Sequence, residues 1–151
     1  MRTSFLPLAI ALLSQGASAP APVVSSVNGA FFAVSVKDID ASSRWYSEKL
    51  GMRAIMQLPK QDKAAVTVLE GGGLTVELVQ LDDAAPAGRQ PELVHGIFKS
   101  GVVVADLAKT IAMLKERGVP IAIGPFPARG STPANFLIRD NAGNLIQFFG
   151  R

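Results

Sequence analysis

The segment VSVKDIDASSRWYSEKLGM, residues 34–52, contains the local signals that decide the fold of this chain. The β-branched and aromatic residues that lead into it, from position 30 to 36, predict a strand. Asp38 and Asp40 are both suited to cap the first turn of a helix. The helix is predicted over residues 41–50, with Trp45 and Tyr46 facing inward and the following glycine ending it.

The next part of the sequence predicts a strand and a hairpin. A strand is expected around residues 52–58, and two β-rich runs, 65–69 and 74–80, flank Gly71-Gly72-Gly73. Such runs around a glycine turn are typical of a β-hairpin. The polar loop at residues 82–90 then separates the two halves of the chain.

The second half of the sequence repeats the same order of elements. Asp106 opens a predicted helix that Gly118 ends. The predicted strands lie at residues 97–104, 119–123, 136–138 and 145–149, and a proline-rich loop follows the second of them.

Matching positions in the two halves indicate an internal duplication. The sequence Val36-Lys37-Asp38-Ile39 precedes Val104-Ala105-Asp106-Leu107 by 68 residues, and Gly51 precedes Gly118 by 67. The hairpins are matched at an offset of 70, which pairs Val68 with Ile138, Glu70 with Asp140, Gly73 with Gly143 and Glu77 with Gln147. A repeated βαβββ unit explains all of these agreements, whereas chance similarity would have to produce each one separately.

The first residues have the features of a signal peptide. Arg2 precedes the apolar run 5–13, and Ala17-Ser18-Ala19 is a small-x-small cleavage site. We therefore predict a signal peptide at 1–19, a linker at 20–29 and a periplasmic or secreted domain at 30–151. An uncleaved membrane anchor or a frayed helix is the alternative, but the apolar run is short for a membrane span, and Pro20 and Pro22 would end a helix.

Composition narrows the partners of the mature domain. The chain has no cysteine, 18% charged residues and a net charge of +3 without a basic run, so nucleic acid binding is not indicated. No second apolar segment reaches membrane length, so we expect no membrane contact after signal cleavage.

Residues 34–52 and the segment RDNAGNLIQFF, residues 139–149, resemble the opening and the closing hairpin of vicinal oxygen chelate (VOC) domains. This superfamily includes glyoxalase I, bleomycin-resistance proteins and extradiol dioxygenases. The resemblance covers roughly residues 30–150. It implies an α+β fold in which two βαβββ repeats, about 30–81 and about 96–150, form a curved, cup-like mixed sheet. The cup closes within one chain or across a homodimer.

The resemblance also implies where family members hold a metal ion. The corresponding residues in this sequence are Phe31, Glu77, Lys99 and Gln147. A transition metal requires about three or four donors, and among these residues only Glu77 is a suitable ligand. We therefore expect no metal cofactor. Because equivalent strands should face one cavity, we expect all four residues to line a ligand site.

Several roles remain open for these side chains. Glu77 and Lys99 either form a structural ion pair, with Gln147 hydrogen-bonded to it, or hold a ligand together. Catalysis by Glu77 as a general base is the weaker alternative and requires burial. Arg129, in the proline-rich loop, is a candidate for an anionic group of the ligand. The single histidine, His95, is expected in a loop, with a role at the mouth of the cup as the alternative.

Taken together, the sequence predicts an exported, metal-free protein that binds a small molecule in the cup. The alternative is a glyoxalase-like lyase or isomerase with a non-standard site. A domain whose cup is filled by its own side chains is a third hypothesis.

Overall fold

The computed structural model of the chain describes residues 31–84 and 97–151. The predicted signal peptide and linker, His95 and most of the predicted loop at 82–90 lie outside these residues. Within the described ranges, no helix combines the length and the apolar character needed to cross a membrane.

The first repeat is a βαβββ unit. It consists of β1 (Phe31–Ser35), α1 (Ile39–Leu50), β2 (Arg53–Gln61), β3 (Ala64–Gly71) and β4 (Leu74–Leu81). The four strands form one sheet in the order β1-β4-β3-β2. The first strand runs parallel to β4, and the other neighbours are antiparallel.

The second repeat has the same organisation. Its elements are β5 (Ser100–Val104), α2 (Leu107–Glu116), β6 (Ile123–Phe126), β7 (Asn135–Arg139) and β8 (Leu145–Gly150). The strand order is β5-β8-β7-β6, with β5 parallel to β8. The predicted α+β fold with two βαβββ repeats is therefore confirmed.

Local capping explains where both helices begin. The carboxylate of Asp38 accepts a hydrogen bond from the Ala41 backbone N–H at 2.8 Å, and Asp106 accepts one from Lys109 at 2.8 Å. These bonds satisfy amide groups that lack partners inside the helix. Gly51 ends α1 in the left-handed conformation, at φ 72°, which a residue without a β-carbon adopts at little cost.

The two repeats share one hydrophobic core, which is formed by the helix-bearing faces of the two sheets. On β4, Val76 and Leu78 point into this core, and on β8, Ile146 and Phe148 do the same. The Phe136 and Phe148 rings stack with their centroids 5.0 Å apart. Since side chains alternate along a strand, the other face of each sheet points away from the shared core.

The position of β6 differs from the prediction, which placed a strand at residues 119–123. Val119 is instead buried at the end of α2, and its N–H donates to the Leu114 carbonyl at 2.8 Å. The strand begins at Ile123, opposite Leu137, and includes Pro125. An edge strand tolerates a proline because its outer N–H positions have no partner in the sheet.

The hairpin alignment requires a second correction. Glu77 pairs with Val68, whereas Gln147 pairs with Leu137 rather than with Ile138. The offset of 70 therefore holds for the strands that leave the two hairpins, but the strands that enter them are offset by 69, from Val68 to Leu137. The turn of the second hairpin contains one additional residue, which a sequence match without a gap cannot represent.

Candidate functional site

The outward face of the first sheet, which we call face A, is open and largely apolar. The register places Phe31 opposite Thr75 and Ala33 opposite Glu77, so Phe31 and Glu77 lie on the same face. Phe31 is 66% exposed and Leu58, on β2, is 52% exposed. The other apolar side chains on this face are Met56, Val66, Val68, Val79 and Leu81.

Glu77 is the acidic residue at the centre of face A. Its strand neighbours are Ala33 on one side and Val68 on the other, so small and apolar side chains surround it. It is half-buried. Within residues 31–84 and 97–151, its carboxylate forms no hydrogen bond and no ion pair. The geometry therefore presents one acceptor group on an apolar surface. A role for Glu77 as a general base remains a prediction.

The equivalent face of the second sheet, face B, contains Gln147, and Lys99 lies directly before the first strand of that sheet. Gln147 pairs with Gly101 on β5. Lys99 lies 68 positions after Phe31 and is therefore its equivalent in the second repeat. Gln147 is buried, and its Nε2 donates to Asn135 Oδ1 at 2.9 Å. The Nδ2 of Asn135 donates in turn to the Pro133 carbonyl at 3.1 Å. Both amide side chains therefore have hydrogen-bond partners.

Face A and face B both point away from the shared core, so the structure does not bring the four residues together in one site. Phe31 and Glu77 share face A, Gln147 lies on face B, and Lys99 directly precedes β5. The ion pairs in the described part of the chain join Arg53 to Glu70, Lys60 to Asp82 and Lys63 to Asp83. The hypothesised pair between Glu77 and Lys99 is not among them. Lys99 instead lies 5.8 Å above the ring of Phe98.

Arg129 lies in a tight turn outside both sheets. Its backbone exchanges two hydrogen bonds with Thr132, at 2.9 and 3.0 Å, and its side chain is exposed. The structure therefore leaves the guanidinium group in solvent, where an anionic ligand can reach it. Its role in ligand binding remains a prediction.

The side chains at the predicted metal positions do not fit a transition metal. Phe31 has no metal-binding atom, Lys99 has an ammonium group that donates hydrogen bonds but offers no lone pair, and the amide of Gln147 is already bonded to Asn135. In the described residues, no group of three or more His, Cys, Asp or Glu side chains is arranged to hold a metal ion.

A buried polar contact between the repeats was not predicted from the sequence. The hydroxyl of Tyr46, on α1, donates to Asp140 Oδ2 at 2.9 Å, and the ring is fully buried. Burial and the adjacent carboxylate raise the pKa of Tyr46 well above its ordinary range, because both disfavour the phenolate. Asp140 also accepts hydrogen bonds from the backbone of Ala142 and Asn144.

Asn135 was also missed, although the sequence contains a signal for it. It is a polar residue at the start of an apolar strand, and it shares its face with Leu137 and Arg139. Matching this alternation with Gln147 on the neighbouring strand would have indicated a polar pair.

Comparison with solved structures gives the same fold. The chain superposes on a glyoxylase/bleomycin resistance protein/dioxygenase domain from Frankia with a TM-score of 0.64 and 19% identity, covering 83% of this chain and 98% of that one. The antibiotic-binding protein TnmS3 from Streptomyces matches with a TM-score of 0.60 and 22% identity, over 86% and 98% of the two chains. A glyoxalase I mutant from Zea mays matches with a TM-score of 0.58 and 21% identity, over 79% of this chain and 43% of that one.

Sequence comparison supports the same relationship at the level of the family. Comparison with curated proteins gave no significant match. The family model of the Glyoxalase/Bleomycin resistance protein/Dioxygenase superfamily, in contrast, matches residues 30–148. This range includes both βαβββ repeats, from the first residue of the predicted domain to β8. The chain therefore belongs to the glyoxalase/bleomycin resistance protein/dioxygenase superfamily.

Proposed function

We propose that this chain is an exported, metal-free protein that binds a small molecule on face A. The observation that carries the proposal is the open apolar surface around the carboxylate of Glu77, which has no partner among residues 31–84 and 97–151. Ligand sites are mostly apolar and contain a few polar groups that fix orientation. An exposed apolar patch of this kind is typical of a binding surface.

The chemistry of face A favours one class of ligand. Phe31, Met56 and Leu58 offer apolar contact to an aromatic or acyl body. Glu77 accepts hydrogen bonds, so a ligand with an amine, amidine or hydroxyl group placed over the centre of the sheet would pair with it. The fold similarity to TnmS3, described as an antibiotic-binding protein, is consistent with a small organic ligand.

A second copy of the chain would complete the site. Because face A points away from the shared core of its own chain, a site that joins Phe31 and Glu77 to a lysine at position 99 needs the partner's Lys99 over face A, whereas Gln147 is already buried and bonded to Asn135. Such a homodimer would cover Phe31 and Leu58 and bring Lys99 of the partner subunit within reach of the ligand. We therefore expect a homodimer in solution, which light scattering after size-exclusion chromatography would detect.

The absence of a metal is part of the proposal and is tested separately. Elemental analysis of the purified protein should find less than stoichiometric zinc, nickel, iron and manganese. A stoichiometric metal that is lost in Glu77→Ala would refute the metal-free site and favour the glyoxalase-like alternative.

Native mass spectrometry of the purified protein tests the ligand site directly. We expect a co-purifying small molecule whose occupancy falls in Leu58→Ser and in Glu77→Gln. Ala112→Ser is the control, because Ala112 is an exposed apolar residue on α2 and lies outside face A. Equal occupancy in Leu58→Ser and the native protein would refute a site on face A.

A further inference from the structure

A cavity on the helix side of the molecule is separate from face A. It lies between the end of α1, α2 and the glycine turn between β3 and β4, and its volume is about 210 Å³. Its walls are mainly apolar and come from both repeats: Leu50, Met52, Leu74, Val104, Leu114 and Phe148. The exposed residues Gly72 and Met113 also line it, so the cavity reaches the surface.

A close backbone approach forms one wall of this cavity. A β-carbon on Gly71 would lie 3.1 Å from the Met52 α-carbon and 3.2 Å from the Gly51 carbonyl oxygen. A side chain at position 71 would require the backbone around Met52 to move by a few tenths of an ångström, so glycine suits this close approach. The turn after β3 is thereby held at the edge of the cavity.

The charged side chains that line the cavity, among the residues that the structure describes, are all basic. Among the described residues that line it, the ionisable ones are Lys49, in the last turn of α1, and Arg117, at the end of α2. Arg117 Nη1 donates to the Lys49 carbonyl at 3.0 Å, which holds the guanidinium group across the gap between the two helices. A guanidinium group has five N–H donors, so one such bond leaves others for a ligand.

We propose that this cavity binds a small amphiphilic carboxylate, with its apolar body inside and its carboxylate against Lys49 and Arg117. An apolar cavity of about 150 Å³ already accommodates a molecule the size of benzene, so the volume is sufficient for one aromatic ring or a medium-length acyl chain. The basic pair selects an anionic head group, because no acidic side chain among the described lining residues opposes it. This site does not depend on the proposed function of face A.

Octanoate and octanol are suitable probes, because they share an apolar chain and differ in the charge of the head group. Titration calorimetry on the purified protein should detect octanoate, with octanol bound more weakly. Met113→Trp should lower octanoate affinity at least about tenfold, because the indole would occupy the mouth of the cavity. Its matched control is Ala112→Trp, which adds the same side chain at an exposed neighbouring position on α2.

A second pair of variants tests the head group. Lys49→Gln removes one charge but keeps the backbone carbonyl that Arg117 binds. It should weaken octanoate about threefold, as expected for a partly exposed ion pair, and leave octanol unchanged. Lys115→Gln removes a charge from an exposed position outside the cavity and should have no effect.

The outcomes separate this site from face A. Octanoate affinity that is unchanged in Met113→Trp would refute the cavity as the binding site. Equal affinity for octanol and octanoate, with no effect of Lys49→Gln, would refute the selection of an anion. Leu58→Ser and Glu77→Gln should leave octanoate binding intact, and loss of binding in those variants would place the probe on face A instead.

Discussion

Replacing Tyr46 by phenylalanine would test the polar contact that joins the two repeats. The substitution removes the hydroxyl that donates to Asp140 Oδ2 at 2.9 Å and keeps the buried ring. The edge-to-face contact with Trp45, with centroids 5.1 Å apart, should remain. The change therefore isolates one hydrogen bond to a carboxylate.

The expected cost follows from the surroundings of that bond. A hydrogen bond to a charged group contributes about 1.5–3 kcal/mol. Asp140 Oδ2 keeps the donor from Asn144 Nδ2 at 2.9 Å, so the carboxylate oxygen is not left without a partner. We therefore expect Tyr46→Phe to lower the free energy of unfolding by about 2 kcal/mol, in the middle of the range.

The same contact predicts how stability depends on pH. The pKa of Tyr46 is raised in the folded protein above its ordinary value of about 10. The protonated Tyr46 hydroxyl therefore stabilises the fold fully below about pH 10. This stabilisation is lost as the pH rises above about 10, because Tyr46 releases its proton more readily in the unfolded chain. The stability difference between the native protein and Tyr46→Phe should shrink by about 1.4 kcal/mol between about pH 8 and pH 11.

The assay is simplified because the sequence has one tyrosine and one tryptophan. Urea unfolding followed by Trp45 fluorescence gives the free energies at each pH. The rise of tyrosinate absorbance reports Tyr46 alone and should appear together with unfolding. A stability difference that stays constant over this pH range, or a tyrosinate transition near the ordinary pKa in folded protein, would refute the reasoning.

Other predictions concern the buried amides, a helix terminus and export. Gln147→Leu should cost about 1–3 kcal/mol of stability by urea unfolding, because it removes the donor to Asn135 Oδ1. Adding Asn135→Leu to it should recover part of that loss, and a further loss would contradict the pairing. Gly51→Ala should cost about 1 kcal/mol in the same assay, because alanine strains at φ 72°. In a secreting host, amino-terminal sequencing should find Pro20 as the first residue; a chain that retains residues 1–19 would contradict cleavage.

The parts of the fold that were predicted correctly depend on neighbouring residues. The caps at Asp38 and Asp106 and the stop at Gly51 are contacts within a few positions of the chain. The glycine turn between β3 and β4 is of the same kind. Such signals can be recognised in a single sequence, because the interacting groups lie within a few residues of each other.

The features that were predicted wrongly or not at all depend on contacts between segments that are distant in the sequence. The position of β6 is set by its pairing with β7. Val119, which was predicted in that strand, is instead buried in the core at the end of α2. Tyr46 and Asp140 are 94 residues apart. No local pattern states which faces of the two sheets will form the common core, so the separation of face A from face B required the structure.

The duplicated unit has different polar chemistry at its two equivalent positions, and this difference bears on the proposed site. In the second repeat the amide of Gln147 is buried and bonded to Asn135, so both side chains already have partners. At the equivalent position of the first repeat, the carboxylate of Glu77 has no partner among the described residues, and the apolar surface around it is open.

Burying the Glu77 carboxylate without a donor would be costly. A ligand or a second chain that covers face A must therefore bring a donor or a cation to Glu77. Lys99 of the partner subunit is one candidate, and a basic group on the ligand is the other. Glu77→Gln separates these cases, because a cationic ligand would lose its one charged partner, whereas a symmetric homodimer would lose two equivalent ion pairs and keep the rest of its interface.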